Sequence, residues 1–242
     1  MENVRTTYAD RVKEIDEYYQ FLFFLDKGIM TGSTLLKIQN EEMSIDPILQ
    51  KTLFAGVYLH LYNLVESTVT LLLKAVEKAV VNEVNNNGIG VLRNEIQSLW
   101  LRYIAGTHDS LPPEKRLEKA LSICGFFLNN MPFDLEIPKG GGGNWDNENI
   151  RTLAQRMGVN LNIPRTINTS IKRPVKDGKG VIQIITLTRN KLAHGEISFS
   201  ECGGELTIST AKEHIEVTKK YLLAVINCFD DYLINANYKV TL

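Results

Sequence analysis

The sequence predicts an all-α fold, a four-helix bundle with a helical insertion between the second and third bundle helices. Apolar residues recur at spacings of three and four, which is the period of an amphipathic helix. Capping residues and glycines also lie where such helices should begin and end. The four bundle segments are residues 7–27, 46–83, 179–194 and 210–235. We expect residues 1–242 to form a single domain in which residues 86–175 are the insertion.

The first bundle helix is predicted over residues 7–27. Its apolar side chains at helical spacing are Tyr8, Val12, Ile15, Tyr19 and Leu22. Thr7 is a suitable cap with Asp10 three residues on, and Gly28 can end the helix. Residues 21–25 are apolar around nearly the whole helix, so we expect them in the core or at a dimer contact.

The second bundle helix is long and apolar, and it contains one unexpected charge. Its apolar face is marked by Leu53, Val57, Leu61, Leu64, Leu71 and Val76. Between Lys51 and Lys74 the only formally charged residue is Glu66. A narrow polar strip contains Asn63, Glu66, Ser67 and Thr70. A carboxylate on such a helix needs a partner or a pocket opening. The alternatives are that Glu66 faces solvent at a kink or pairs with a nearby lysine.

The predicted insertion begins where Asn85–Gly88 break the second helix. Within it we predict a helix over residues 93–104, a second from Pro112 and Pro113 to about residue 127, and a short helix capped by Asn144 or Asp146. Residues 140–143 are four glycines and indicate a flexible turn. They do not form a phosphate-binding P-loop, because no Lys-Ser/Thr pair follows them.

A basic segment precedes the third bundle helix. Residues 165–179 contain five basic side chains against one acid, Asp177. The candidates for contact with an RNA backbone are Lys172, Arg173, Lys176 and Lys179. The alternative is a solvated loop, which charge runs usually are.

The third and fourth bundle helices are separated by a short link. Residues 181–186 are β-branched except for Gln183 and could form a strand, but the segment continues unbroken to Gly195, which favours a helix. Residues 198–209 are predicted as an irregular or hairpin-like link with Gly203 and Gly204 at its turn. The last helix is predicted to begin with a capping box of Thr210 and Glu213.

Composition describes an ordinary globular protein, with 44% hydrophobic and 23% charged residues. A net charge of −1 gives no global attraction to nucleic acid, so such a site must be a local patch. The three cysteines, Cys124, Cys202 and Cys228, are far apart, which disfavours a zinc site and suggests a reducing compartment. No apolar run is long enough to span a membrane, and the N-terminus lacks the core of a signal peptide. We therefore expect a cytoplasmic protein without metal or cofactor.

The third bundle helix ends in Arg189-Asn190-Lys191-Leu192-Ala193-His194-Gly195. A guanidinium matches phosphate oxygens, and an imidazole gives and takes protons near neutrality. RNA carries its own nucleophile, the 2′-hydroxyl, so these groups could be enough for transesterification without a metal. The alternative is that Arg189 pairs with a carboxylate while His194 caps the last helical turn.

This motif and residues 61–67, Leu-Tyr-Asn-Leu-Val-Glu-Ser, resemble the HEPN superfamily of small helical domains. The whole motif at residues 189–195 is similar to that of a stand-alone bacterial branch of the superfamily found near toxin and defence loci. The resemblance implies a HEPN-like bundle with the motif on a helix. It also implies a metal-independent endoribonuclease that acts as a dimer.

The resemblance also implies roles for the motif residues. Arg189 is expected to hold the scissile phosphate, His194 to act as acid or base, and Asn190 to orient the site or bind the phosphate. Three supporting candidates are Glu66, Lys191 and Asn63. We expect Glu66 to lie within salt-bridge reach of Arg189 or beside it in the cleft.

The spacing of the two catalytic candidates has a geometric consequence. Residues five apart on a helix differ by roughly 140° around its axis, so Arg189 and His194 need not face one substrate within one chain. Two chains related by a two-fold axis could build one cleft together. Alternatively, the last turn could unwind at Gly195 and swing His194 back.

The sequence thus predicts an RNA-cleaving homodimer, a toxin or antiviral defence effector with a possible antitoxin or defence-system partner. The alternative is a non-catalytic HEPN-like dimeric scaffold that binds a nucleotide, RNA or a partner subunit. A helical protein with no nucleic-acid role is the third hypothesis.

Overall fold

Helices make up most of the computed structural model, which describes residues 1–30, 35–39, 41–105, 112–129, 133–138 and 144–240. The helices are α1 (Glu2–Met30), α2 (Pro47–Asn87), α3 (Asn94–Ala105), α4 (Pro113–Asn129), α5 (Asn147–Arg156), α6 (Arg165–Lys172), α7 (Val181–Ala193), α8 (Phe199–Gly204) and α9 (Ile208–Ile234). One antiparallel hairpin, β1 (Leu35–Ile38) and β2 (Glu41–Ser44), lies between α1 and α2 in the chain. Residues Ile89–Val91 form a 3-10 turn. The predicted all-α fold is confirmed.

The centre of the bundle is α2, which packs against α1, α7, α8 and α9. Its start is fixed by Asp46, whose side chain accepts a hydrogen bond from the backbone N–H of Leu49 at 2.7 Å. Because apolar residues surround α2 on most sides, side chains such as Leu61 and Val76 are completely buried. Each such side chain contributes roughly 1.5–3 kcal/mol relative to exposure.

Two bundle helices are longer than predicted. α1 begins at Glu2, so Thr7 lies inside the helix and is not its cap. The added first turn is held because Val4 is buried in the core. α2 continues to Asn87, so the predicted break at residues 85–87 is wrong, and the helix ends at Gly88 with a φ of 79°. At the end of α1, Leu22 is buried whereas Phe24 is 69% exposed.

The link predicted between the last two bundle helices contains a helix of its own, α8, so the irregular or hairpin-like prediction is wrong. Gly203 and Gly204, which were predicted to form the turn of the link, lie inside this helix. An ideal Cβ on Gly203 would lie 1.7 Å from the backbone oxygen of Lys51. Gly203 therefore permits α8 to pack directly on the first turns of α2.

The predicted cap of the last helix is also wrong. α9 begins at Ile208, and Thr207 is its N-cap, which accepts a hydrogen bond from the backbone N–H of Thr210 at 3.1 Å. The predicted cap thus lies in the first turn instead of preceding it.

The insertion between α2 and α7 contains α3, α4, α5 and α6. Asp146, and not Asn144, caps α5 by accepting from the backbone N–H of Asn149 at 2.8 Å. The first half of the basic segment 165–179 is the helix α6, which the loop interpretation did not anticipate. The four glycines at 140–143 lie outside the described residues.

Candidate functional site

The site is built on α7, whose inner face is fixed in the core. Val181, Ile182 and Ile185 are at most 1% exposed, and this helical spacing is why the β-branched run does not form a strand. An ideal Cβ on Gly180 would lie 2.4 Å from the backbone oxygen of Ile171. The N-terminus of α7 is therefore packed tightly against the end of α6, and its C-terminal motif projects from a rigid base.

The motif ends in a sharp helix stop. Gly195 has a φ of 70°, and the N–H of Glu196 donates to the carbonyl of Lys191 at 2.9 Å, as in a Schellman motif. His194 is the C-cap residue and keeps a right-handed helical backbone. The predicted alternative, unwinding of the last turn that returns His194 towards Arg189, is therefore wrong.

Arg189 is held by three different side chains. Its Cζ lies 4.1 Å from the centroid of the Tyr62 ring, and its Nη1 donates to Oδ1 of Asn190 at 2.9 Å. Its Nη2 lies 3.8 Å from Oε2 of Glu66, as the sequence predicted. One third of the arginine side chain remains exposed. The guanidinium is thus oriented and still accessible to an anion.

Two of these partners come from one face of α2. Tyr62 and Glu66 are four residues apart, so they lie one above the other on the helix. Burial raises the pKa of Tyr62 above its usual value, and the nearby Glu66 carboxylate adds to this. Glu66 itself has 41% of its side chain exposed and lies beside its predicted partner, Arg189.

A segment just before α5 closes the site from the other side. Nδ2 of Asn190 donates to Oδ1 of Asn144 at 2.8 Å. The hydroxyl of Thr186 donates to the carbonyl of Trp145 at 2.7 Å. The backbone of Trp145 also forms a hydrogen bond with Tyr62. Asn144 and Trp145 are therefore hydrogen-bonded to α7, and Trp145 is also bonded to α2.

Tyr62, Asn144 and Trp145 were not among the predicted site residues. Tyr62 could have been found from its spacing to Glu66, because a ring four residues away lies on the same helix face. Asn144 and Asn190 are separated by 46 positions, and no sequence pattern signals such a pair.

The remaining motif candidates occupy different surroundings. His194 is exposed at the helix end, and in the described part of the chain its side chain makes no hydrogen bond or ion pair. Lys191 lines a cavity of about 200 Å³ on the α8 side of α7, whereas Asn190 lines another cavity on the side of Asn144. Asn63 is exposed on α2, one turn before Glu66. The structure thus groups Arg189, Asn190 and Glu66, and leaves His194, Lys191 and Asn63 outside this group.

The four basic candidates also separate into two kinds. Arg173 lies 3.5 Å from a carboxylate oxygen of Glu213, and Lys176 lies 2.5 Å from one of Glu205. Within the described residues, Lys172 and Lys179 have no carboxylate partner within ion-pair distance. Of the four candidates, these two are the ones without an ion-pair partner in the described part of the chain.

Among the described residues, no group of three or more histidine, cysteine or acidic side chains is arranged to hold a metal ion. None of the described helices combines the length and apolar composition needed to cross a bilayer.

Comparison with known proteins gives one match. The model of the HEPN_MAE_28990-like HEPN family matches residues 1–238. No curated protein and no solved structure matches the chain. The match extends over α1 to α9 and includes the motif on α7 and its partners on α2. The chain belongs to the HEPN_MAE_28990-like HEPN family.

Proposed function

We propose that this protein is a metal-independent endoribonuclease of the HEPN type. In the proposed reaction a base removes the proton of an RNA 2′-hydroxyl, and the 2′-oxygen attacks the adjacent phosphorus. The bond from phosphorus to the 5′-oxygen breaks, and an acid protonates that oxygen. The products are a 2′,3′-cyclic phosphate and a 5′-hydroxyl end.

The observation that carries the proposal is the arrangement around Arg189. Tyr62, Asn190 and Glu66 hold its guanidinium, and one third of the side chain is open to a ligand. A phosphate that gains charge in the transition state is best stabilised by a donor that does not need to reorganise. Asn190 helps to orient this donor. Its Oδ1 accepts a hydrogen bond from Arg189, and its Nδ2 donates one to Asn144.

His194 is the proposed acid or base, supplied by a second copy of the chain. It is exposed at the end of α7, and it lies roughly 140° from Arg189 around the helix axis. A two-fold axis near His194 would place this imidazole beside the arginine of the partner. The exposed Phe24, at 69%, offers apolar surface for such a contact.

Cleavage of bulk RNA in excess EDTA tests the activity. Arg189→Ala should reduce the rate about 10²–10³-fold, as expected for loss of a preorganised charge donor. His194→Ala should reduce it about 10²–10⁴-fold. Arg151→Ala is the matched control, because Arg151 is a surface arginine whose one ion-pair partner among the described residues is Glu148 of its own helix. Equal activity of Arg189→Ala and Arg151→Ala would refute the proposal.

Mixing the two inactive variants tests the shared cleft. A mixture of Arg189→Ala and His194→Ala chains should regain activity, because a mixed dimer has one site with both side chains intact. Light scattering should give a dimer under the same conditions. Failure to regain activity, or an active preparation that contains only monomer, would exclude the shared cleft.

One observation favours a second candidate, a non-catalytic dimeric scaffold that binds a nucleotide, RNA or a partner subunit. In the described part of the chain, no hydrogen bond or ion pair joins His194 to the Arg189 group. RNA binding without cleavage, unchanged by His194→Ala, would support the scaffold.

A toxin or defence role, with an antitoxin or other partner, is part of the leading proposal. Growth arrest by the wild type but not by Arg189→Ala would support it.

A further inference from the structure

A second feature lies beside the Arg189 group. A cavity of about 270 Å³ opens on the outer face of α7, and its polar lining includes Asn144, Asp146, Lys179, Gln183 and Asn190. Gln183 and Asn190 are seven residues apart on α7, so they lie on one face about 10 Å apart along the helix. The cavity therefore begins at Asn190, which accepts a hydrogen bond from Arg189, and extends towards Lys179.

The cavity combines an apolar side chain with several polar groups. Leu187, which is 39% exposed, contributes the apolar surface. One carboxylate oxygen of Asp146 accepts from the N–H of Asn149, which leaves its second oxygen as an acceptor. Oε1 of Gln183 accepts from the N–H of Gly180 at 3.3 Å, which leaves its amide nitrogen as a donor. An acceptor and a donor that line one cavity match the Watson–Crick edge of adenine or cytosine, where an exocyclic amino group adjoins a ring nitrogen that accepts.

The cavity also has an available cation. Lys176 and Lys179 belong to the same turn, which is closed by the N–H of Lys179 donating to the carbonyl of Lys176 at 2.9 Å. Lys176 is paired with Glu205. Among the described residues, no carboxylate lies within ion-pair distance of Lys179. Its ammonium group is therefore the one in this turn that can bind a phosphate.

We propose that this cavity is a nucleotide subsite that selects adenine or cytosine beside the scissile phosphate. Asp146 accepts from the exocyclic amino group, Gln183 donates to the ring nitrogen, and Lys179 binds the next phosphate of the strand. Leu187 lies against the base plane. The inference rests on the proposed function, because it takes the phosphate held by Arg189 as its reference point.

Binding of 2′-O-methyl oligonucleotides tests the subsite separately from cleavage, because these strands lack the nucleophile. Affinity is measured against salt concentration. Lys179→Ala should reduce the slope of log K against log salt by about 0.7, the value for one phosphate of a single strand. Lys176→Ala, the matched control in the same turn, should leave the slope unchanged. Equal slopes for the two variants, or no binding by the wild type, would overturn the subsite.

Base selection is tested with 2′-O-methyl oligomers of adenosine, cytidine and uridine. The wild type should prefer adenosine and cytidine over uridine about tenfold, as one hydrogen bond to a charged group allows. Asp146→Asn should remove most of this preference, and it keeps an oxygen that can cap α5. An unchanged preference in Asp146→Asn would overturn the assignment of the base.

The two proposals fail in different ways. If the wild type binds as expected but does not cleave RNA, the proposed catalysis fails and the subsite stands. If RNA is cleaved in a manner that depends on His194 while Lys179→Ala behaves like Lys176→Ala, the subsite alone fails.

Discussion

The guanidinium of Arg189 lies over the ring of Tyr62, with 4.1 Å between its Cζ and the ring centroid. The ring is buried in α2 and only 3% exposed. A rigid aromatic face beneath an arginine restricts its rotation without consuming all of its N–H donors. Tyr62 is therefore a positioning residue for the proposed phosphate contact.

Substitution of Tyr62 tests this relationship. Tyr62→Leu should reduce kcat/KM for RNA about 2- to 30-fold, because a cation–π contact contributes roughly 0.5–2 kcal/mol. Tyr62→Phe keeps the ring and should retain most of the activity. Thermal unfolding of both variants controls for the loss of core packing. Equal activity of the two variants at equal folded fraction would show that the ring does not position Arg189.

Removal of the charge on Glu66 should affect activity more than stability. Both side chains of its ion pair with Arg189 are partly exposed. Such pairs contribute about 1 kcal/mol or less to stability. We expect Glu66→Gln to keep the fold, with a Tm within about 4 °C of the wild type. RNA cleavage should decrease, because the amide orients the guanidinium less strongly. A large loss of Tm with unchanged specific activity would indicate a structural pair only.

His214 should make stability depend on pH. It is 1% exposed, and neither ring nitrogen has a hydrogen-bond partner among the described residues. Burial lowers its pKa below the ordinary value of 6.5, while Glu213 acts in the opposite direction. The unfolded chain therefore binds the proton more readily, so the contribution is fully present above pH 6.5 and decreases as the pH falls below it.

The measurement is the free energy of unfolding between pH 5 and pH 8. His214→Leu should reduce the loss of stability on the acidic side. Thr218→Val, one turn further along α9, replaces another buried group that has no hydrogen-bond partner among the described residues, and it should leave the pH dependence unchanged. His60 contributes in the same direction, because burial also lowers its pKa. Identical pH profiles for the wild type and His214→Leu would contradict this assignment.

Two adjacent glycines in α8, Gly203 and Gly204, allow a controlled test of how this helix packs on α2. A Cβ on Gly203 would meet the backbone oxygen of Lys51, whereas one on Gly204 would lie 3.6 Å from Cδ of the same lysine. Gly203→Ala should destabilise the protein by about 1–3 kcal/mol or more through overpacking. Gly204→Ala should be nearly neutral. Chemical denaturation of both variants distinguishes them, and equal stabilities would mean that α8 does not pack as described.

Local patterns allowed much of this fold to be predicted. The period of apolar residues identified the bundle helices, and the single charge on α2 led to the contact between Glu66 and Arg189. Glu66 has both the partner and the partial exposure that a charge on such an apolar helix requires. α8 was missed since the close approach of Gly203 to Lys51 is a tertiary contact that overrides the turn preference of Gly-Gly. Asn144 was missed for a similar reason, because its partner is far away in sequence.

The most direct test of the central claim uses one RNA and a copy with a single 2′-deoxynucleotide at the cleavage position, both in excess EDTA. We predict that the RNA is cut to a 2′,3′-cyclic phosphate and a 5′-hydroxyl end, and that the deoxy copy remains intact at that position. Cleavage of the deoxy copy there, or 3′-hydroxyl ends that require magnesium, would contradict catalysis by the 2′-hydroxyl with Arg189 and His194.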